Sequence, residues 1–279
     1  MATGIDHIVI AVNDLDQAVA DYTAAGFTVT PGGEHTNGET HNALIAFADG
    51  TYFELIAWKV PEAVTPNRWQ QRLQAGEGFV DYALRTADLD VEITRLRDEG
   101  LDVPDSTPGG RLRPDGQSVE WQTVRFDPDR HPSLPFYCHS TNDITLRVPT
   151  GDASIHANGV TGVGTIFIGV ADLEQAAADY RIVAGIAFNP THAQPEANTW
   201  QQFRVGTYNI ILIEPEDQDS EVARSIASRG EVPIEVALKS TNEEGSAVDH
   251  RLTHGAKLAI LEVEHTVEIP EWERQEDAL

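Results

Sequence analysis

One segment of this chain occurs twice. Residues 4–27, GIDHIVIAVNDLDQAVADYTAAGF, give an apolar strand, an Asp-Leu pair and a helix closing on glycine, and GVGTIFIGVADLEQAAADYRIVAGIAF, beginning at Gly162, does the same. The likeness continues downstream, where Asn42, Phe47 and Gly50-Thr51-Tyr52 are matched by Asn198, Phe203 and Gly206-Thr207-Tyr208. GFVDYALRTADLD from Gly78 and, more faintly, PIEVALKSTN from Pro233 repeat the strand signal, so four modules begin near residues 4, 78, 162 and 231. Repetition of this kind decides the architecture before any single element is read.

Each module reads as β-α-β-β-β, an α+β class. In the first, His7–Val12 is a strand, Asp14 caps a helix with Gln17 three residues on, and Leu15, Val19 and Tyr22 fall at helical spacing before Gly26. Strands follow around Phe27–Thr30, Ala43–Ala48 and Tyr52–Trp58. The second module repeats this with a strand at Val80–Thr86, a helix at Leu89–Asp98, and strands near Leu101–Val103, Val119–Phe126 and Pro135–His139. Its Pro/Gly/Asp-rich stretch Pro104–Gly116 is expected to be a long loop. Residues 141–160 read as a linker or an added strand, the fourth module is too short for a full copy, and Glu268–Leu279 is a charged tail expected to fray.

With 279 residues, the chain has room for one large domain or two of about 140 residues. No apolar run approaches the roughly 20 residues of a membrane helix, and no targeting segment is visible. Cys138 is the only cysteine, which rules out an intrachain disulfide and a thiolate-rich cluster and makes a reducing cytoplasm the default. Forty-five acidic against 19 basic residues leave a net charge of -26, which repels phosphate backbones and anionic lipid. Nucleic acid and membrane are therefore excluded as partners. The acids are spread along the chain, and Lys59, Lys239 and Lys257 are the only lysines. Such a balance suits either concentrated salt, where self-repulsion is screened, or an ordinary acidic protein.

Alternate residues of a strand face opposite ways. Ile8, Ile10 and Val12 form the apolar face that meets the helix, so His7 turns to the open side with Val9 and Ala11. Likewise Phe53, Leu55 and Ala57 leave Glu54 with Tyr52 and Ile56. In the second module Val80, Tyr82 and Leu84 stand against Asp81, Ala83 and Arg85, and Phe136 and Cys138 stand against Tyr137 and His139. The expected polar face therefore gathers His7, Glu54, Asp81, Arg85 and His139.

These residues resemble the vicinal-oxygen-chelate superfamily, and within it the glyoxalase-like branch with its bleomycin-resistance and dioxygenase relatives. The resemblance rests on Asp6-His7-Ile8-Val9 with Asp14-Leu15, His35, Gly38 and Asn42-Ala43-Leu44, Tyr52-Phe53-Glu54-Leu55, Leu84-Arg85-Thr86 with Asp88-Leu89, Asp115-Gly116, Trp121-Gln122 and Pro135-Phe136-Tyr137. It covers residues 4–140 well and 160–215 as a degenerate echo. It implies tandem βαβββ modules, four with the last truncated, paired into two cup-shaped mixed sheets with helices on the outer face. It also implies an N-terminal domain over 1–140 and a degenerate C-terminal one over 155–279. A divalent metal held by His7, Glu54 and His139 follows from the resemblance, with Asp81 in a slot that often holds no ligand.

Two imidazoles and a carboxylate with open coordination positions suit Fe, Mn, Zn or Ni. Such a metal acts as a Lewis acid on a small molecule with vicinal oxygens, or activates dioxygen. The implied enzyme is a lyase or isomerase or a ring-cleaving dioxygenase, with Glu54 and Asp81 as catalytic acids or bases. Arg85 is read either as an anion contact or as a structural ion pair, and His35 and Asn42 either as a covering loop or as turn chemistry. Trp121 is read as a cavity wall, and Arg85, Arg111, Arg113 and Arg125 as a local source of positive potential. The competing reading is a metal-free drug- or ligand-binding module lined by Trp58, Trp69, Trp121, Tyr52 and Tyr137. The second half, with Thr165 opposite His7 and Ile210 opposite Glu54, has no ligand at either place. The chain is expected to be a monomer or a homodimer.

Overall fold

The computed structural model describes residues 1–60, 67–184, 187–188, 198–242 and 244–262, so the tail expected at Glu268–Leu279 lies outside the described residues. Strand β1 (Ala2–Ala11) leads into α1 (Leu15–Ala24), and the Asp14 carboxylate accepts from the Gln17 amide as a cap should. Strands β2 (Thr30–His35), β3 (Thr40–Ala46) and β4 (Tyr52–Trp58) complete the first module. After the short α2 (Arg68–Gln74), the second module runs β5 (Gly78–Thr86), α3 (Leu89–Asp98), β6 (Thr107–Leu112), β7 (Ser118–Val124) and β8 (Phe136–Ser140).

Two features of the second module depart from expectation. No strand forms at 101–103, and β6 lies inside the stretch expected to be a loop. Its sequence TPGGRL carries the residues that usually break strands, yet all six pair with β7. Gly109 lies opposite Trp121, and a Cβ there would stand 2.3 Å from the indole Nε1. The glycine is what lets the indole cross the strand.

The eight strands close into a barrel in the order β1-β4-β3-β2-β6-β7-β8-β5, each module supplying one half of the wall. Helix α4 (Ile144–Arg147) and a 3-10 turn at Gly151–Ser154 occupy the connection to the second half, where an added strand was one expectation. There β9 (Val160–Gly169), α5 (Leu173–Ala184), β10 (Ala187–Phe188), β11 (Asn198–Val205), β12 (Tyr208–Pro215), α6 (Glu221–Arg229), β13 (Pro233–Ser240), β14 (Ser246–Ala247) and β15 (Leu258–Ile260) form a seven-stranded sheet. Because the fourth module supplies only β13, β14 and β15, this sheet stays open. Thr165 pairs with Asn209 as His7 pairs with Tyr52, so Ile211, not Ile210, stands where Glu54 stands. Ile210 is fully buried in the helix-facing core.

A single apolar cluster joins the two halves, running from Ile8, Phe53 and Tyr82 on the outside of the barrel to Ile166, Tyr180 and Phe203 of the open sheet. Buried hydroxyls cross the junction: Tyr82 and Tyr180 meet at 2.7 Å, and the Tyr22 hydroxyl donates to the Thr253 carbonyl at 2.9 Å. Among the described residues, no helix is long and apolar enough to cross a membrane.

Candidate functional site

Strand alternation sends His7, Val9 and Ala11 of β1, and Tyr52, Glu54 and Ile56 of β4, into the barrel, while Ile8, Ile10, Phe53 and Leu55 pack outward. Alternation alone would send Asp6 outward as well. A shift in the β1–β5 register between Ile5 and His7 inserts an extra residue there, and Asp6 turns inward beside His7. A second shift, between Val9 and Ile10, places both Val80 and Asp81 on the inner side of β5. The resulting cavity encloses about 250 Å³ and is walled by aromatic rings of Tyr52, Trp69, Trp121 and Phe136 among polar groups of both modules.

At its floor the His7 Nδ1 lies 2.6 Å from Asp6 Oδ1, which directs Nε2 toward Glu54 Oε2 at 3.7 Å. Tyr52 stacks on the imidazole at 4.7 Å between centroids. Asp6 is held in turn by Arg147, through Nη1 at 2.6 Å and Nη2 at 2.8 Å, and Arg147 also donates to the Tyr52 and Ser140 hydroxyls. Burial works to raise the Asp6 pKa, but the charge and hydrogen bonds of Arg147, with His7, hold it well below the usual carboxylate range. Glu54 faces His35 Nε2 at 3.3 Å and accepts from Asn42 Nδ2 at 2.7 Å. Against the opposing effect of burial, His35, His7 and Asn42 lower its pKa to about 2. His35 is fixed by Thr40 Oγ1 at 2.8 Å and meets Trp121 edge-on at 5.9 Å.

Of the residues singled out from the sequence, His7, Glu54, His35, Asn42 and Trp121 line this cavity together. His139 does not join them. Phe136 and Cys138 are the inward residues of β8, and His139 lies on the outer side with Nδ1 3.3 Å from the Thr86 carbonyl, so the expected trio of His7, Glu54 and His139 does not assemble. Tyr137 likewise turns into the outer core and donates to Glu92. Asp81 is on the inner side of β5 but saturated: it takes hydrogen bonds from Arg68 and from Trp69 Nε1, and Arg125 approaches at 3.5 Å. It is not a free base. Arg85 leaves the cavity altogether, donating to the Ile5 carbonyl and to the Tyr208 hydroxyl of the second half. Arg113 spends its charge on Asp115, whereas Arg111, Arg125 and Arg147 do line the cavity. Asp6 and Arg147 carried no spacing signal, since a bulge positions the first and a short helix outside the repeat positions the second.

Among the described residues, the one set of three whose ligand atoms all lie within 4.8 Å of one another is Asp6, His7 and Cys138. Its chemistry is poor for a divalent cation. Both Asp6 oxygens are bonded by the Arg147 guanidinium, whose positive charge a dication would meet. Burial pushes the Cys138 thiol up to about 12, away from the thiolate a metal requires. The strand positions of the second module that face His7 are Ala83 and Phe136, neither a ligand. The Asp6–His7–Cys138 set does not fit a bound divalent metal.

The sequence profile of a family described as "Glyoxalase-like domain" matches residues 5–184. No curated protein matches the sequence significantly. A hypothetical protein from Staphylococcus aureus superposes over 93% of this chain and 99% of its own, with a TM-score of 0.71 at 14% identity. A mutant of 4-hydroxymandelate synthase from Streptomyces coelicolor covers 87% of this chain and 72% of its own, with a TM-score of 0.58 at 12% identity. A xylose isomerase-like TIM barrel/4-hydroxyphenylpyruvate dioxygenase fusion protein covers 87% of this chain and 37% of its own, with a TM-score of 0.56 at 15% identity. At these identities the likeness is one of fold.

Proposed function

As this chain belongs to the glyoxalase-like domain family, within the vicinal-oxygen-chelate superfamily, we propose that its barrel moves a proton on a small molecule with vicinal oxygens, an isomerase- or lyase-type reaction. The observation that carries the reading is the Asp6–His7 pair at 2.6 Å, which leaves His7 Nε2 facing a ligand-sized cavity. Asp6 fixes the imidazole tautomer with the proton on Nδ1, so Nε2 is the acceptor. It takes the proton from a carbon next to a carbonyl; the electron pair moves onto the carbonyl oxygen as an enolate, and the proton returns to the same or the neighbouring carbon. Glu54, ionised at neutral pH and 3.7 Å from Nε2, stabilises the imidazolium while it exists. His35, on the other Glu54 oxygen, is the second group able to hold a proton at the ligand.

The test is hydrogen exchange in D2O. Wild-type protein incubated with hydroxyacetone, methylglyoxal and pyruvate is expected to speed deuterium entry at the carbon next to the carbonyl, read by NMR, and His7→Asn to abolish it. Exchange that persists in His7→Asn, or no exchange above buffer for any of the three, overturns the reading.

A further inference from the structure

Each acidic group around the cavity has side-chain partners. Asp6 is paired with Arg147, Asp81 is shared by Arg68 and Arg125, and Glu54 sits between His35 and Asn42. Arg111 is left over. Its side chain, on the cavity wall and only 3% exposed, makes no ion pair among the described residues. One nitrogen, Nη2, donates to the Arg147 carbonyl at 2.8 Å, while Nε and Nη1 have no hydrogen-bond partner among the described residues. Leaving guanidinium donors buried and unmatched is costly, and proteins tolerate it where a ligand completes the set. Asn42 Oδ1, also on this wall, is unpartnered too. The strand between theirs, β2, has glycine at 32, where a Cβ would stand 2.0 Å from Asn42 Oδ1 and 2.8 Å from Arg111 Nη1; any larger residue would crowd them.

We propose that the ligand of this barrel is a small carboxylate, its anionic group seated on the Arg111 guanidinium and its Asn42 contact made through a hydroxyl or an amide N–H. A planar fork of N–H donors matches two carboxylate oxygens better than a point charge does. Arg111 is a buried cation without an ion-pair partner among the described residues, inside a chain of net charge -26, and an anionic group on it would supply that partner. The aromatic rings of Trp69, Trp121 and Phe136 face the rest of the molecule. The proposal rests on the same cavity as the proton-transfer reading and names the class of molecule on which it acts.

Ligand-induced thermal stabilisation at fixed ionic strength tests it with matched probes: pyruvate against pyruvamide, phenylacetate against phenylacetamide, with inorganic phosphate and sulfate beside them. The carboxylates are expected to raise Tm with saturation and their amides to leave it unchanged. Arg111→Gln is expected to raise the half-saturating concentration about tenfold or more. Arg130→Gln, which removes an equal charge from the surface, is expected to leave it unaltered. Amides as effective as acids, phosphate or sulfate as effective as the carboxylates, or saturation unchanged in a folded Arg111→Gln each overturn the proposal. The comparison of acid with amide needs no variant, so a misfolded Arg111→Gln does not shelter it. His7→Asn separates the two readings: loss of deuterium exchange with carboxylate stabilisation retained supports both. Absence of exchange in the wild type with stabilisation intact removes the proton-transfer reading alone.

Discussion

At the residue scale, the centre of the barrel floor is an ion pair taken out of water, and its value lies in balance. Arg147→Met leaves Asp6 buried with His7 as its remaining charge partner, and is expected to cost about 3–5 kcal/mol. The double variant Asp6→Asn with Arg147→Met is expected to lose clearly less than the sum of the two single variants, as read by urea unfolding; additive losses would show that the pair is not coupled. Glu54 carries the pH dependence. Its pKa is depressed from the ordinary 4.5 to about 2, so its contribution is fully present above the unfolded value and is lost as pH falls from 4.5 toward 2. The effect is on the order of 3 kcal/mol. Glu54→Gln is therefore expected to flatten the acid limb of the stability curve, measured as unfolding free energy between neutral pH and the acid transition, and an unchanged limb would contradict the assignment.

At the element scale, what the sequence made legible and what it hid have separate physical causes. The first helix and the third carry their own start signals in Asp14 and Asp88, and the structure begins both where those caps place them. Facing was legible in β1 and β4 because one side of each strand is uniformly aliphatic. It was not legible in β8, where Phe136 and Cys138 are no more apolar as a pair than Tyr137 with its buried hydroxyl, so the inward side was misassigned and His139 with it. Asp6 and Val80 turn inward against expectation for another reason: a one-residue bulge reverses alternation and leaves no mark in the composition. Strand β6 was hidden by Pro108, Gly109 and Gly110, which break most strands, although Gly109 is needed here under Trp121. Gly109→Ala is expected to force the indole aside at a cost of about 1–3 kcal/mol, with a shift in tryptophan emission as the direct reading. Stability and emission unchanged from wild type would mean that β6 accommodates the methyl without moving Trp121.

At the scale of the whole molecule, the repeat is used twice with different outcomes. The first pair of modules closes and keeps a cavity lined by polar and aromatic groups; the second stays open, with Thr165 and Ile211 where His7 and Glu54 would stand, and shares its core with the outside of the barrel. A net charge of -26 spread over both halves makes self-repulsion a property of the whole chain. Raising KCl from about 0.1 M to about 1 M shortens the screening length from roughly 10 Å to roughly 3 Å, and Tm is expected to climb over that range. A flat or falling Tm would place the surface acids among local pairs instead.

The barrel wall is not equally strong around its circumference. On one flank β1 and β5 are joined along eight residue pairs, whereas β2 and β6 meet through only Glu34 with Leu112 and His35 with Arg111. Those two rungs tie together the residues that face the ligand from opposite modules. With two rungs to break instead of eight, this part of the wall is expected to release its amide hydrogens to solvent sooner than the β1–β5 flank, as hydrogen exchange would read.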